Sequence, residues 1–430
     1  MNPMTIRESE RLGDRYYCVK HPSGLTIFIY PKEKMRSTYA VFGTRYGSVD
    51  KAFRRSDEPA PEITPAGIAH FLEHKLFESE DGDAFTRYAK IGASANAYTS
   101  FETTRYLFSC TEKAEQALGI LLDFVQSPYF TEQTVAKEQG IIGQEIKMYD
   151  DDPQWRVLFN LLRALYHNHP IKDDIAGTVE SIAEITPAYL YRCYNTFYNL
   201  NNMALCVSGN CDVDEVLALC DKMLKKSEPV QVERVFDPEP DTIVCPVVEE
   251  EMSVASPLFE FGVKEAVSDA RCAEKELVAT EILLDIMASD SSPLFRRLLD
   301  AALINEASFS YEYFEGTGYA AVLFGGESSD PQAVCAAIRE EMRRLKDEGV
   351  SEEDVRRSAK ALYGENLAGL NSPEVIANAV MSMEFSGREL FRYLECFSEI
   401  TAADVNARIQ ALFNEEKAAA SIIWPLKENV

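Results

Sequence analysis

The segment His70-Phe71-Leu72-Glu73-His74 sets two imidazoles and a carboxylate on one face of a helix. Side chains four residues apart lie about 40° apart around the helix axis, so His70 and His74 can grip one metal ion. Glu73 lies on the same stripe, close enough to act on a water that the metal holds. The order H-x-x-E-H reverses the commoner H-E-x-x-H zinc signature. Only five His occur in 430 residues, which makes an accidental match rare. The plain alternative is two surface histidines beside an acid.

Two imidazoles leave a catalytic zinc in need of a third protein ligand and one open position for water. Glu145 is the candidate, on a long helical stretch beginning near Thr131. Its neighbours Ile141, Ile142, Ile146 and Met148 imply that this stretch is at least partly buried. A buried carboxylate needs a partner, and a cation supplies one. Glu138 precedes Glu145 by seven residues, almost two turns, so both face the same way. It is the candidate supporting acid behind a ligand. Solvated acids on a surface helix are the ordinary reading of the same pattern. With zinc bound, a water acquires a pKa of about 7, and Glu73 can take its proton and pass it to the departing amine of a peptide bond. A purely structural zinc fits less well. Such sites are usually closed by four ligands with abundant Cys, and no Cys lies near His70 or Glu145 in sequence.

The elements that must position these groups are partly legible. Thr64-Pro65 predicts the N-cap and first turn of the motif helix. A short helix from about Asp83 ends at Gly92, and SANAYTS and TRYLFSC follow as strands joined by a turn at ETT. The run GASANAYTS alternates small and polar residues with little apolar bulk. That pattern suits an exposed edge strand able to accept an extended peptide, or an ordinary hairpin strand. NNMALCVSGN reads as a buried strand and DVDEVLALCDKMLKK as its covering helix. A Pro-rich, acidic stretch then reads as a linker at 229–252, between domains at 1–228 and 253–430. EITPA at 184–188 returns as EITAA at 399–403, and the run at 130–145 has a weaker echo at 350–365. Their matching order implies two similarly folded halves. Runs of strands and of helices suggest α+β domains, not a doubly wound parallel sheet. The second half contains no His, so only the first can build the metal site.

Composition narrows the partners. Hydrophobic content of 46%, with 20 Tyr and 23 Phe, indicates a well-packed globular protein. Seventy acidic against 43 basic side chains give a net charge of −27, which argues against nucleic-acid or anionic-membrane partners. Solubility explains such a surface first, and attraction of basic peptides second. No run is long and apolar enough to span a bilayer, and the polar start MNPMTIRESERLGDRYY lacks a secretory core. Ten scattered Cys without a C-x-x-C pair suit reduced thiols, so a cytoplasmic protein is expected.

With HFLEH at 70–74, GASANAYTSFETTRYLF at 92–108 and E-x6-E at 138–145, the chain resembles the pitrilysin/insulysin metallopeptidases, or inverzincins. That family includes the mitochondrial processing peptidase β-subunit. The likeness runs the whole chain and is strongest over 64–210. QEIKMYDDDPQWR and NHPIKDDIAGTVESIAEIT look most like its half-length form in Gram-positive bacteria. The resemblance implies His70, His74 and Glu145 as zinc ligands and Glu73 as catalytic base. It also implies Asn96 and Ala97 as part of a substrate-pairing edge strand, and Glu138 as supporting acid. Two α+β domains per chain are expected, each a mostly antiparallel sheet with helices packed on it, and two chains closing around a chamber. Full peptidases of the family use an Arg and a Tyr, seven residues apart, from the opposite half. Here Leu299 and Glu306 stand at those places; Arg296 and Arg297 are out of register and Tyr311 is too distant. The expectation is a zinc-dependent endopeptidase for peptides or small unfolded polypeptides, in a chamber formed with a second chain. A paralogous zinc-less partner is expected ahead of a homodimer. The rival reading is a non-catalytic or weakly active subunit of a heterodimeric binding or processing complex.

Overall fold

Runs dense in β-branched and aromatic residues favour strands. In the computed structural model, which describes residues 4–80, 82–266 and 271–427, they form two principal sheets. The chain divides into two units. The first comprises the chain up to Ile146, Asp173–Val235 and Leu367–Phe391; the second comprises Lys147–Lys172, Phe236–Asn366 and the chain from Arg392.

The first unit holds strands β1 (Met4–Ser9), β2 (Asp14–Lys20), β3 (Thr26–Pro31), β4 (Thr38–Thr44), β5 (Ser94–Thr99), β6 (Thr104–Cys110) and β7 (Met203–Gly209). Their order in the sheet is β1-β2-β3-β7-β4-β6-β5. Only β3 and β7 run parallel. Strands β4 and β7 are buried along their whole length and form the centre of the core, whereas β5 is an edge strand of exposed and half-buried residues.

The second unit holds β8 (Val247–Met252), β9 (Leu258–Lys264), β10 (Ser310–Gly316), β11 (Tyr319–Glu327) and β12 (Ala418–Pro425), in the order β8-β12-β9-β11-β10. Again one pair, β8 and β12, is parallel. Counted from β3 and from β8, both sheets follow the order first, fifth, second, fourth, third. The EITPA and EITAA echoes mark matching places in this plan. Thr186 and Thr401 cap helices Pro187–Phe197 and Ala402–Leu412, each by accepting a bond from a main-chain N–H three residues on. Each helix precedes its unit's fifth strand. The expected α+β class and mostly antiparallel sheets are what the structure contains.

The two units depart from contiguous halves. Helices α1 (Ile68–Leu76) and α2 (Glu132–Asp150) carry the motif and the candidate acids. After them, α3 (Pro153–Leu165) groups with the second unit, and α4 (Pro373–Phe385) groups with the first. Each lies over a glycine in its unit's second strand. A Cβ on Gly43 would come within 2.9 Å of Phe385 and 3.0 Å of Met381; one on Gly262 would come within 2.9 Å of Leu165 and 3.0 Å of Leu161. An amphipathic helix needs an apolar face, and sequence neighbourhood does not dictate whose. The stretch expected as a linker at 229–252 is also partly strand. Val232–Arg234 pairs with Ala52–Arg55, and Val247–Met252 is β8. Its acidic residues suit an edge position, where charge is tolerated.

Thr64 does not cap the motif helix. Its hydroxyl bonds the Lys51 carbonyl, and α1 begins three residues beyond Pro65, behind Gly67. Gly67 has φ 85°, and a Cβ there would lie 2.2 Å from the Ala176 carbonyl oxygen. Only glycine fits that turn.

Candidate metal centre

Helix α1 anchors itself through Ile68, Ala69, Phe71, Leu72 and Leu76, all buried. The turn of the helix then brings His70, Glu73 and His74 to a shared side, with the two imidazole centroids 4.6 Å apart. Helix α2 buries Val135, Glu138, Ile142, Gly143 and Ile146 on one face, while Glu145 is half-buried. Ile142 and Ile146 support that burial as expected. Ile141 and Met148 do not: they are 47% and 60% exposed, because they lie on the helix's outer face.

The carboxylate of Glu145 reaches both rings. Its Oε1 is 3.6 Å from His70 Nε2, and its Oε2 is 3.4 Å from His74 Nε2. One donor atom from each of the three residues lies within 4.8 Å of the others. These distances exceed good hydrogen bonds. They bring the two carboxylate oxygens of Glu145 one to each ring, an approach compatible with ligand atoms that share one cation. Two imidazoles and a carboxylate are also a donor set that zinc accepts. The residues present therefore fit a zinc ion.

Glu138 sits behind this trio. His74 Nδ1 lies 3.1 Å from Glu138 Oε1 and, since a carboxylate accepts, that nitrogen donates, with Nε2 turned toward Glu145. Burial disfavours charge on His74, yet the bond to Glu138 and the charges of Glu73 and Glu145 raise its pKa above the usual value. Glu73 is buried. Desolvation pushes its carboxyl up, against the pull of His70, His74 and the Thr99 hydroxyl. Thr99 donates to Glu73 Oε2 at 2.9 Å. Sequence reasoning did not single out Thr99, although it follows Ala97 by two residues on the same face of β5.

Asn96 and Ala97 lie mid-way along that edge strand, Asn96 exposed and Ala97 half-buried. The Asn96 side-chain oxygen accepts from the Ala97 N–H at 2.9 Å. In the second unit, Leu299 lies in helix Pro293–Asp300 and Glu306 on an exposed turn. No helix among the described residues is long and apolar enough to cross a membrane.

Residues 62–179 match the family model described as insulinase (peptidase family M16), and 184–362 match the model described as the M16 peptidase inactive domain. An uncharacterized zinc protease of Bacillus subtilis, YmfH, is 39% identical over 94% of this chain and 95% of its own. The chain therefore belongs to the M16, or insulinase, family of peptidases. The crystal structure of an M16-like peptidase from Alicyclobacillus acidocaldarius superposes with a TM-score of 0.91 at 34% identity, covering 99% of both chains. A Helicobacter pylori protease shares the fold at 19% identity, with a TM-score of 0.82 over 95% of this chain and 99% of its own.

Proposed function

We propose that this chain is a cytoplasmic, zinc-dependent endopeptidase that hydrolyses peptides or small unfolded polypeptides in a chamber formed with a second chain. The observation that carries the reading is the convergence of His70, His74 and Glu145, whose donor atoms lie within 4.8 Å of one another, with Glu73 buried beside them. Relatives described as zinc proteases support the same metal. Ten free cysteines suit a reducing compartment.

The chemistry zinc supplies in such a site is acidification of a water to a pKa of about 7 and polarisation of the scissile carbonyl. The protein does the rest. His70, His74 and Glu145 hold the ion, and Glu138 fixes the tautomer and orientation of His74. Glu73 accepts the proton of the attacking water and returns it to the leaving amine. The free edge of β5, at Asn96 and Ala97, pairs with the main chain of an extended substrate and lays the scissile bond beside Glu73.

Replacing that base tests the assignment. Glu73→Gln should keep zinc and lower kcat by about 10²–10⁴-fold. Wild-type turnover by a zinc-replete mutant would remove Glu73 from the mechanism. The second reading, a weakly active subunit, draws on Leu299 and Glu306, which stand where the family's Arg and Tyr are expected. A zinc-less paralogue would then supply the missing pair. Robust cleavage of unfolded peptides by the chain purified alone is the result that rejects an obligatory partner.

A further inference from the structure

Thr99 ends the edge strand β5 and hydrogen-bonds to α1. Its hydroxyl donates to Glu73 Oε2 at 2.9 Å. Neighbouring groups settle the direction of that bond. Thr104 donates its only hydroxyl proton to the Tyr46 carbonyl at 2.9 Å, so toward Thr99, 3.4 Å away, it can only accept. Thr99 has one proton to give, and the nearer acceptor is the Glu73 carboxyl oxygen, 2.9 Å away against 3.4 Å for Thr104.

The main chain of Thr99 faces elsewhere. The Ser100 N–H donates to the Thr103 carbonyl, which makes Ser100 and Thr103 the bonded pair closing the β5–β6 hairpin. Antiparallel pairing alternates, so Thr99, opposite Thr104, and Ala97, opposite Tyr106, turn their N–H and C=O groups to the free edge. Ala97 agrees with this register: its N–H is satisfied by the neighbouring Asn96 side chain instead of by β6. One residue thus presents its backbone where a peptide would pair and its hydroxyl to the base.

We propose that Thr99 is a positioning residue that ties the Glu73 carboxylate to the peptide-pairing edge, fixing Oε2 and leaving Oε1 to receive the proton. This rests on the endopeptidase reading and deepens it by coupling strand pairing to placement of the base. An added substrate strand would stiffen β5 and with it the Thr99 hydroxyl that holds Glu73. A β-branched side chain suits the task, because its χ1 freedom is small.

The test uses the full-length, zinc-loaded chain carrying Thr99→Val, Thr99→Ser or Glu73→Gln, assayed on an internally quenched peptide mixture and crystallised. Valine keeps the shape and removes the donor. Thr99→Val should lower kcat by about 10²-fold, the scale of a 1 Å misplacement, with KM and zinc content unchanged. Thr99→Ser should recover most of that loss, and the Thr99→Val crystal structure should show the Glu73 carboxylate turned from its wild-type place. Wild-type kcat in Thr99→Val, a carboxylate that stays put without the hydroxyl, or a defect confined to KM or zinc content would each overturn the proposal. If Glu73→Gln is inactive while Thr99→Val is fully active, this inference alone fails; an active Glu73→Gln removes the mechanism it rests on. Should the chain show no turnover by itself, the crystallographic comparison decides.

Discussion

At the scale of single residues, Glu138 offers a test of how far the proposed metal site extends beyond its candidate ligands. Its carboxylate accepts a hydrogen bond from Nδ1 of His74, the ring whose Nε2 faces Glu145. Removing that acceptor frees the ring to turn and weakens its basicity. Glu138→Ala should therefore weaken zinc binding by roughly 10–100-fold in a chelator competition. Unchanged affinity would reduce Glu138 to an ordinary buried acid. The motif residues were legible because a helix fixes its own spacing: His70, Glu73 and His74 need no tertiary knowledge to meet. Glu145 and Glu138 were legible by the seven-residue interval and by apolar neighbours, of which Ile141 and Met148 pointed the wrong way. Thr99 was not, because its role depends on strand register against a helix earlier in the chain.

At the scale of elements, the seating of α3 and α4 decides whether the sheets are covered. Gly43 and Gly262 occupy corresponding second strands, and each lacks a side chain where an apolar helix residue presses closest. Gly262→Ala would force its methyl against Leu165 and Leu161, and overpacking of this kind costs about 1–3 kcal/mol. Urea titration should show that loss, and Leu165→Ala on the same chain should give back part of it as a coupling energy. Strict additivity of the two changes would place α3 elsewhere in solution. The strands themselves were readable from apolar runs. The regrouping of α3 and α4 was not, since an amphipathic pattern says that a helix needs a face without saying which. Nor was β8, whose Glu249, Glu250 and Glu251 hide a strand inside an acidic stretch.

For the whole molecule, a net charge of −27 means that carboxylates dominate the response to pH. Two in the second unit are pulled in opposite directions. Burial raises the Glu239 carboxyl, but the Lys264 ammonium and the N–H groups of His167, Asn168 and His169 outweigh it and bring it down to about 2. Its folded pKa lies below the ordinary 4.5, so its contribution is complete above that value and is lost as pH falls toward 2. Glu260 behaves the other way. Burial, with the charge of Glu312 added, pushes it up to about 8. Between 4.5 and that value the folded chain holds a proton the unfolded chain has released, so stability declines as pH rises through the window. General repulsion among the other carboxylates adds to the decline. The stability maximum should accordingly lie on the acid side of neutrality, between about pH 4.5 and 6. Glu260→Gln supplies the decisive comparison, because it cannot ionise. Its urea midpoint should exceed that of the wild type at pH 9 and approach it at pH 5, where Glu260 is already protonated in the fold. An equal difference at both pH values would mean that the substitution acts through packing, and that Glu260 does not carry its charge into the alkaline decline.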